Sequence, residues 1–181
     1  MRIISGSRRG HKLHEFEGYD VRPTTDRVKE SIFNLIQNDV AGARVLDMFA
    51  GTGALSFEAI SRGAEYAVLL DSDKRSVELI KKNMRELRFE DLCEVRETSC
   101  FDYVKSCSQK FDIIFLDPPY NKGYIEPALT AISEYGLLNE SAIVLLESDN
   151  TDFKNEFPGL TMEKQRRYGR TFVTVYRREE S

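Results

Sequence analysis

The sequence predicts an α/β fold: a mostly parallel sheet with an antiparallel C-terminal hairpin and a small N-terminal extension. Three observations point there. From residue 44 onward, short apolar runs alternate with amphipathic stretches of helical period, as in a parallel sheet covered on both faces. Turns rich in glycine, proline and aspartate follow the first, second and fourth of those runs, where such sheets bind ligands. Near the end, residues 160–167 and 171–178 change rhythm to two extended segments around Tyr168-Gly169-Arg170, a hairpin for one sheet edge.

The elements follow in order. Residues 2–5 and 12–16 read as short extended segments around a turn over 6–10. Arg22-Pro23-Thr24-Thr25-Asp26 then interrupts regular structure. The proline biases Arg22 away from helix, and Thr24, Thr25 or Asp26 can cap the helix behind it. Val28, Ile32, Leu35 and Ile36 give that helix one apolar face. Residues 45–49 form the first core strand, which runs into Ala50-Gly51-Thr52-Gly53. A helix bearing Leu55, Phe57, Ala59 and Ile60 follows and ends at Gly63. Residues 67–70 make the second strand, closed by Asp71-Ser72-Asp73. The helix over 74–87 carries Val77, Ile80, Met84 and Leu87 on one stripe. A third strand (93–96), a short helix (101–106) and a fourth strand (111–116) lead to Asp117-Pro118-Pro119-Tyr120. A helix over 125–135 and a fifth strand over 142–146 complete the alternation. No repeat or linker interrupts it, so residues 1–181 read as one domain, with an N-terminal extension and helix (1–40) on a core (41–181).

Composition bounds the function. A chain of 181 residues, 41% hydrophobic and 31% charged, is long and ordinary enough for one soluble domain with a full core. Its apolar runs are too short to span a bilayer, and its start lacks the apolar stretch of a signal peptide, so a cytoplasmic location is expected. Cys93, Cys100 and Cys107 lie seven apart with no CxxC pair, and His11 and His14 are remote, which favours reduced structural thiols over a metal site. The net charge of −4 is unevenly spread. Residues 1–14 hold four basic side chains and residues 164–178 hold six, with no acid in either stretch. An acidic body with two basic ends can bind phosphates locally; two solvated basic faces are the plainer reading.

Three turns carry chemistry. In Asp47-Met48-Phe49-Ala50-Gly51-Thr52-Gly53, the glycines let the backbone turn sharply and approach a ligand where a helix begins. A dinucleotide loop would place a third glycine at Ser56 and would not place an acid four residues before the first. Asp47 suits a cationic ligand such as the sulfonium and ammonium of S-adenosylmethionine. Asp71, about twenty residues past the glycines, suits the two hydroxyls of a ribose, since an ionised carboxylate only accepts. Asp73 reads better as a helix cap. Asp117-Pro118-Pro119-Tyr120 is a rigid turn offering a carboxylate, carbonyl oxygens and an aromatic face. That set suits a planar ring bearing an amino group. Asp117 and the Pro118 carbonyl would accept the two amino hydrogens and aim the nitrogen lone pair at a methyl donor, while Tyr120 stacks on the ring.

Taken in that order, the glycine loop, Asp71 and Asp117-Pro118-Pro119-Tyr120 resemble a class I amino methyltransferase. Arg2-Ile3-Ile4-Ser5-Gly6 and the run from Arg22 through Thr24, Arg27, Lys29 and Glu30 narrow the resemblance to the RsmD family, bacterial 16S ribosomal RNA guanine-N2 methyltransferases. It covers nearly the whole chain, including Arg167-Tyr168-Gly169. The four-residue turn alone is shared with adenine and cytosine amino methyltransferases, so the N-terminal motifs carry the substrate assignment. The resemblance implies a seven-stranded Rossmann-like sheet, S-adenosylmethionine as donor and a guanine of 16S rRNA, within a small-subunit assembly, as acceptor, with no metal and a monomeric chain by default. It places the cofactor at Asp47, Gly51, Gly53 and Asp71, to which the neighbouring Phe49, Ala50, Thr52 and Ser72 are added. The family often has an acid after the third strand near the cofactor adenine. Here Glu97-Thr98-Ser99-Cys100 puts Ser99 or Cys100 there, and Ser99 can hydrogen-bond the adenine. Catalysis falls to Asp117, Pro118, Pro119 and Tyr120. RNA contacts are expected from Arg2, Arg8, Arg9, Lys12, Arg22, Thr24 and Arg27, with Lys29 on the same helix gripping phosphates. The rivals are an adenine-N6 DNA or RNA methyltransferase, a non-catalytic RNA-binding protein on the same scaffold, and a nicotinamide dehydrogenase, which the missing third glycine opposes.

Overall fold

The computed structural model describes residues 1–18 and 24–180, so the expected break at Arg22 and Pro23 lies outside the described residues. The elements are α1 (Asp26–Leu35), β1 (Arg44–Asp47), α2 (Ala54–Ser61), β2 (Tyr66–Asp71), α3 (Lys74–Leu87), β3 (Cys93–Glu97), α4 (Cys100–Ser106), β4 (Phe111–Leu116), α5 (Ile125–Glu134), β5 (Leu138–Ser148), β6 (Leu160–Tyr168) and β7 (Thr171–Arg178). The strands form one seven-stranded sheet in the order β3-β2-β1-β4-β5-β7-β6. Strands β1 to β5 pair in parallel. β7 runs antiparallel to β5, and β6 antiparallel to β7. This is the predicted Rossmann-like sheet with its C-terminal hairpin. β1 lies between β2 and β4, so strand order reverses there, and the carboxyl ends of β1 and β4 open the crevice in which such sheets hold ligands.

Side chains alternate across each strand with period two, and both faces are buried. Val45, Ile113, Phe115, Ile143 and Leu145 pack with Ile32, Phe33, Phe57 and Ile80 on one side. Leu46, Ile114, Leu116, Val144 and Leu146 pack with Val104, Leu129 and Ile132 on the other. Helix starts follow the capping chemistry. Of the three candidates before α1, Thr25 is the cap, its Oγ1 accepting from the Val28 N–H at 3.2 Å. Asp73 caps α3 and Ser99 caps α4.

The N-terminal segments meet through a single bridge, Arg2 opposite Lys12, rather than as paired strands. Ile3 and Leu13 anchor them in the core. Gly6 explains the close fit: a Cβ there would lie 1.8 Å from the Ser61 carbonyl oxygen at the end of α2. β5 is longer than its apolar run over 142–146. Leu138 joins it by pairing with Phe111, and the β7 ladder carries it to Ser148, with Glu147 opposite Val173 and Ser148 opposite Phe172. A ladder bond does not require an apolar side chain, so the strand continues through a buried glutamate. Among the described residues, no helix is long and apolar enough to cross a membrane.

Candidate active site

β1 ends at Asp47, which is 2% exposed and accepts from the Ser56 hydroxyl at 2.8 Å, tying the strand to α2. The intervening loop closes on itself through the Gly53 N–H to the Ala50 carbonyl, at 2.8 Å. Its two glycines serve different ends. Gly51 has φ 60° and open space where a Cβ would stand, so its backbone faces a cavity. Gly53 has φ 83°, and a Cβ there would meet the Phe57 ring at 2.4 Å; it is required by the packing of α2 and does not line the cavity. At the end of β2, the Asp71 carboxylate accepts from the Gly51 N–H at 3.0 Å and the Asp73 N–H at 2.9 Å.

Two cavities flank the Asp117 turn. The larger, about 710 Å³, is lined by Asp47, Phe49, Ala50, Gly51, Thr52, Asp71, Ser72, Ser99, Asp117 and Pro119 among others. That volume suits a nucleoside-sized ligand. Aromatic rings frame it: Tyr124 stacks on Phe49 with centroids 5.9 Å apart and meets Phe101 edge-on at 5.8 Å. The smaller cavity, about 440 Å³, is lined by Thr24, Arg27, Asp117, Tyr120, Glu147 and the hairpin turn with Arg167, Tyr168 and Arg170. Asp117 and Thr24 line both. Pro118 is buried and lines neither.

The electrostatics of this junction are one-sided. Burial pushes the Asp47 carboxyl up to about 7, with the charges of Asp117 and Asp71 adding to the effect. Burial also raises Asp71, against the hydrogen bonds from Asp73 and Gly51. Asp117 and Glu147 face each other as a hydrogen-bonded pair. Burial first, then the charge of Glu147, holds Asp117 well above the usual carboxylate range; burial raises Glu147 too, opposed by the Thr24 hydroxyl. Like charges this close titrate as a unit. Thr24 donates to both Glu147 oxygens, at 3.0 and 3.3 Å. Among the described residues, no group of three or more histidine, cysteine or acidic side chains is arranged to hold a metal ion.

Glu147 was not among the sequence-predicted residues. The signal was present: it directly follows the fifth apolar run, at the same carboxyl end of the sheet as Asp47, Asp71 and Asp117. An apolar run that stops at Leu146 hid it, because the strand appeared to stop there too.

The residues expected to touch RNA are scattered. Arg9, Lys12 and Arg27 are exposed, and Arg27 also lines the smaller cavity. Arg2 is exposed and points at Asp26, 3.8 Å away. Arg8 is engaged internally: its Nε donates to the Leu87 carbonyl at 2.7 Å and its guanidinium covers the Phe89 ring at 5.3 Å. Lys29 corrects the expectation that it grips phosphates. It is fully buried, donating to the Arg2 carbonyl at 2.5 Å and pairing with Glu58 at 3.2 Å. It lies one turn before Ile32 and Phe33, on the buried face of α1. Arg22 lies outside the described residues.

The family model described as conserved hypothetical protein 95 matches residues 1–177. A Bacillus subtilis protein, YlbH, named as a candidate rRNA methyltransferase, is 38% identical over 182 residues, covering 98% of this chain and 99% of its own. Ribosomal RNA small subunit methyltransferase D of Escherichia coli K12 is 31% identical over 183 residues, covering 99% and 90%. The solved structure of the Escherichia coli protein yhhF, named as a candidate methyltransferase, superimposes with a TM-score of 0.89 at 32% identity, covering 99% of this chain and 98% of that one.

Proposed function

This chain belongs to the family of conserved hypothetical protein 95, the RsmD family, and on that premise we propose that it methylates the exocyclic N2 of a guanine in 16S rRNA with S-adenosylmethionine as donor. The observation that carries the reading is the place of Asp117: one carboxylate lines both cavities, so a donor in one and an acceptor in the other would meet beside it. The relatives' names supply the substrate class, small-subunit ribosomal RNA.

The larger cavity fits the donor by its chemistry. Asp47 is a buried acid with a raised pKa and, among the described residues, no cation beside it, which suits the positive end of the ligand. Asp71 offers acceptors for ribose hydroxyls, the backbone around Gly51 leaves room for close approach, and Ser99 and Phe101 line the side left for a base. When bound, the donor supplies a methyl carbon on a sulfonium: the amine lone pair forms the N–C bond as the C–S electron pair returns to sulfur, and nitrogen sheds one proton. Asp117 accepts a hydrogen bond from the amino group and so orients its lone pair. When ionised, Asp117 is also a competent acceptor for the departing proton, because its raised pKa makes the carboxylate a stronger base.

The test is transfer of labelled methyl to rRNA from cells lacking the protein, followed by digestion and mass spectrometry of the nucleosides. N2-methylguanosine is expected; N6-methyladenosine would install the adenine rival instead. Asp117→Asn should lower turnover by about two orders of magnitude while calorimetry finds donor affinity nearly unchanged. Normal turnover in that variant removes Asp117 from the role.

A further inference from the structure

The smaller cavity has a chemistry of its own. Its deep end holds two facing carboxyls, Glu147 at 4% exposure and Asp117. Three exposed arginines, Arg27, Arg167 and Arg170, stand around its lining. Acids inside and cations outside match a nucleotide entering base first, with hydrogen-bond donors leading and phosphates trailing. We propose that this cavity takes the target nucleotide and that Glu147 selects guanine by accepting from its ring N1–H, while Asp117 takes the adjacent N2 amino group. The inference rests on the guanine-N2 reading above and adds the residue that enforces it.

The donor pattern of the bases decides the match. Guanine presents two neighbouring donors on one edge, N1–H and N2–H2. Adenine and cytosine present an amino group beside a ring nitrogen that only accepts. Two neighbouring acceptors meet guanine's edge fully, but against adenine or cytosine one carboxylate would face a lone pair in a buried site. A buried polar group left without its partner is costly, and sites of this kind discriminate strongly. Thr24 fixes the orientation: its hydroxyl reaches both Glu147 oxygens, and β7 holds the strand register at Val173. Tyr120 and Tyr168, which also line the cavity, offer aromatic surface for the ring.

Base analogues test the atom concerned. The probe is an rRNA fragment carrying the guanine mapped above, or 2-aminopurine or inosine in its place. 2-Aminopurine keeps the amino group and lacks the N1 hydrogen; inosine keeps the N1 hydrogen and lacks the amino group. The wild-type protein should methylate the 2-aminopurine fragment at least about a hundredfold less efficiently than the guanine fragment. Glu147→Gln offers an amide N–H to the bare ring nitrogen, so it should shrink that ratio at least about tenfold. Inosine RNA leaves Asp117 without the amino group, so it should bind wild type more weakly than guanine RNA, read by competition, and lose further affinity for Glu147→Gln. Equal turnover of guanine and 2-aminopurine by the wild type overturns the proposal without any variant, as does an unchanged ratio in Glu147→Gln. No methyl transfer to guanine at all would overturn the underlying reading instead, and this inference with it.

Discussion

Two clusters of buried charge in this molecule are built on opposite plans. In the first, Glu58 on α2 is fully buried and met by cations: Lys29 at 3.2 Å and Arg62 at 2.8 Å. It also accepts from the Ile4 and Ser5 N–H groups, at 2.9 and 3.1 Å. In the second, the buried Asp47 and Glu147 and the half-buried Asp117 crowd together, each raising another's pKa, with the Ser56 and Thr24 hydroxyls as donors. Among the described residues, none of the three is in an ion pair. The first cluster is complete in itself and fastens the N-terminal extension to the core. The second is complete only when donors arrive from outside, as expected where perturbed acids mark a functional site. Both are buried charge, and only the accounting of partners separates structure from function.

The comparison breaks most visibly at Glu58. Glu58→Gln leaves Lys29 buried beside Arg62 without a counter-charge. Removing one partner of a buried pair costs about 3–5 kcal/mol, so thermal denaturation should show a loss of roughly 10 °C for a chain of this size. An unchanged midpoint would mean that the cluster contributes nothing to holding the fold.

In the acidic cluster the sign should reverse. The folded-state pKa of Asp47 lies at about 7, above its ordinary value, so the folded protein binds that proton more tightly than the unfolded chain does. Its contribution favours folding at low pH and is lost as pH rises from about 4 through 7. At pH 8 the ionised group costs stability, and Asp47→Asn should raise the stability of the ligand-free protein by about 4 kcal/mol. The same variant should weaken donor binding. For the wild type, donor affinity should fall by about tenfold per pH unit below 7, because only the ionised carboxylate attracts a cation. Calorimetry in buffers of different ionisation heat should detect a proton released on binding near neutral pH. Loss of stability in Asp47→Asn, or pH-independent affinity, would erase the contrast with Glu58.

Legibility in the sequence followed the same division. Alternating apolar runs made the sheet, its hairpin and the three acidic turns readable, because each is a local pattern with a local cause. What escaped is long-range. Lys29 lies on α1 at a position that looks solvent-facing, and only Glu58, 29 residues later, makes its burial tolerable. Glu147 is the penultimate residue of a strand whose final residues are held by β7, a pairing that no apolar pattern announces. Gly53 is held to glycine by Phe57, four residues on, a packing reason that the loop motif does not announce. A motif tells which residues gather at a sheet edge; the partner that satisfies each one lies elsewhere in the chain.

The smallest expected effect concerns the exposed cations, where no buried charge is at stake. Arg8→Ala would confuse the measurement, since it removes the bond to the Leu87 carbonyl and the cover of Phe89. Arg9 and Lys12 are exposed, so Arg9→Ala with Lys12→Ala removes charge with little packing. If both meet phosphates, the slope of log affinity for rRNA against log salt should flatten by about 1.4, at roughly 0.7 per contact on a single strand. Arg27→Ala should flatten it by about half as much and should also lower turnover, because Arg27 lines the cavity next to Asp117. An N-terminal pair that changes only the slope, beside an Arg27 that changes slope and turnover, would separate a surface that holds RNA from a rim that delivers one nucleotide. Identical behaviour of the two would show that the cavity has no privileged rim and that the basic faces act as one diffuse patch.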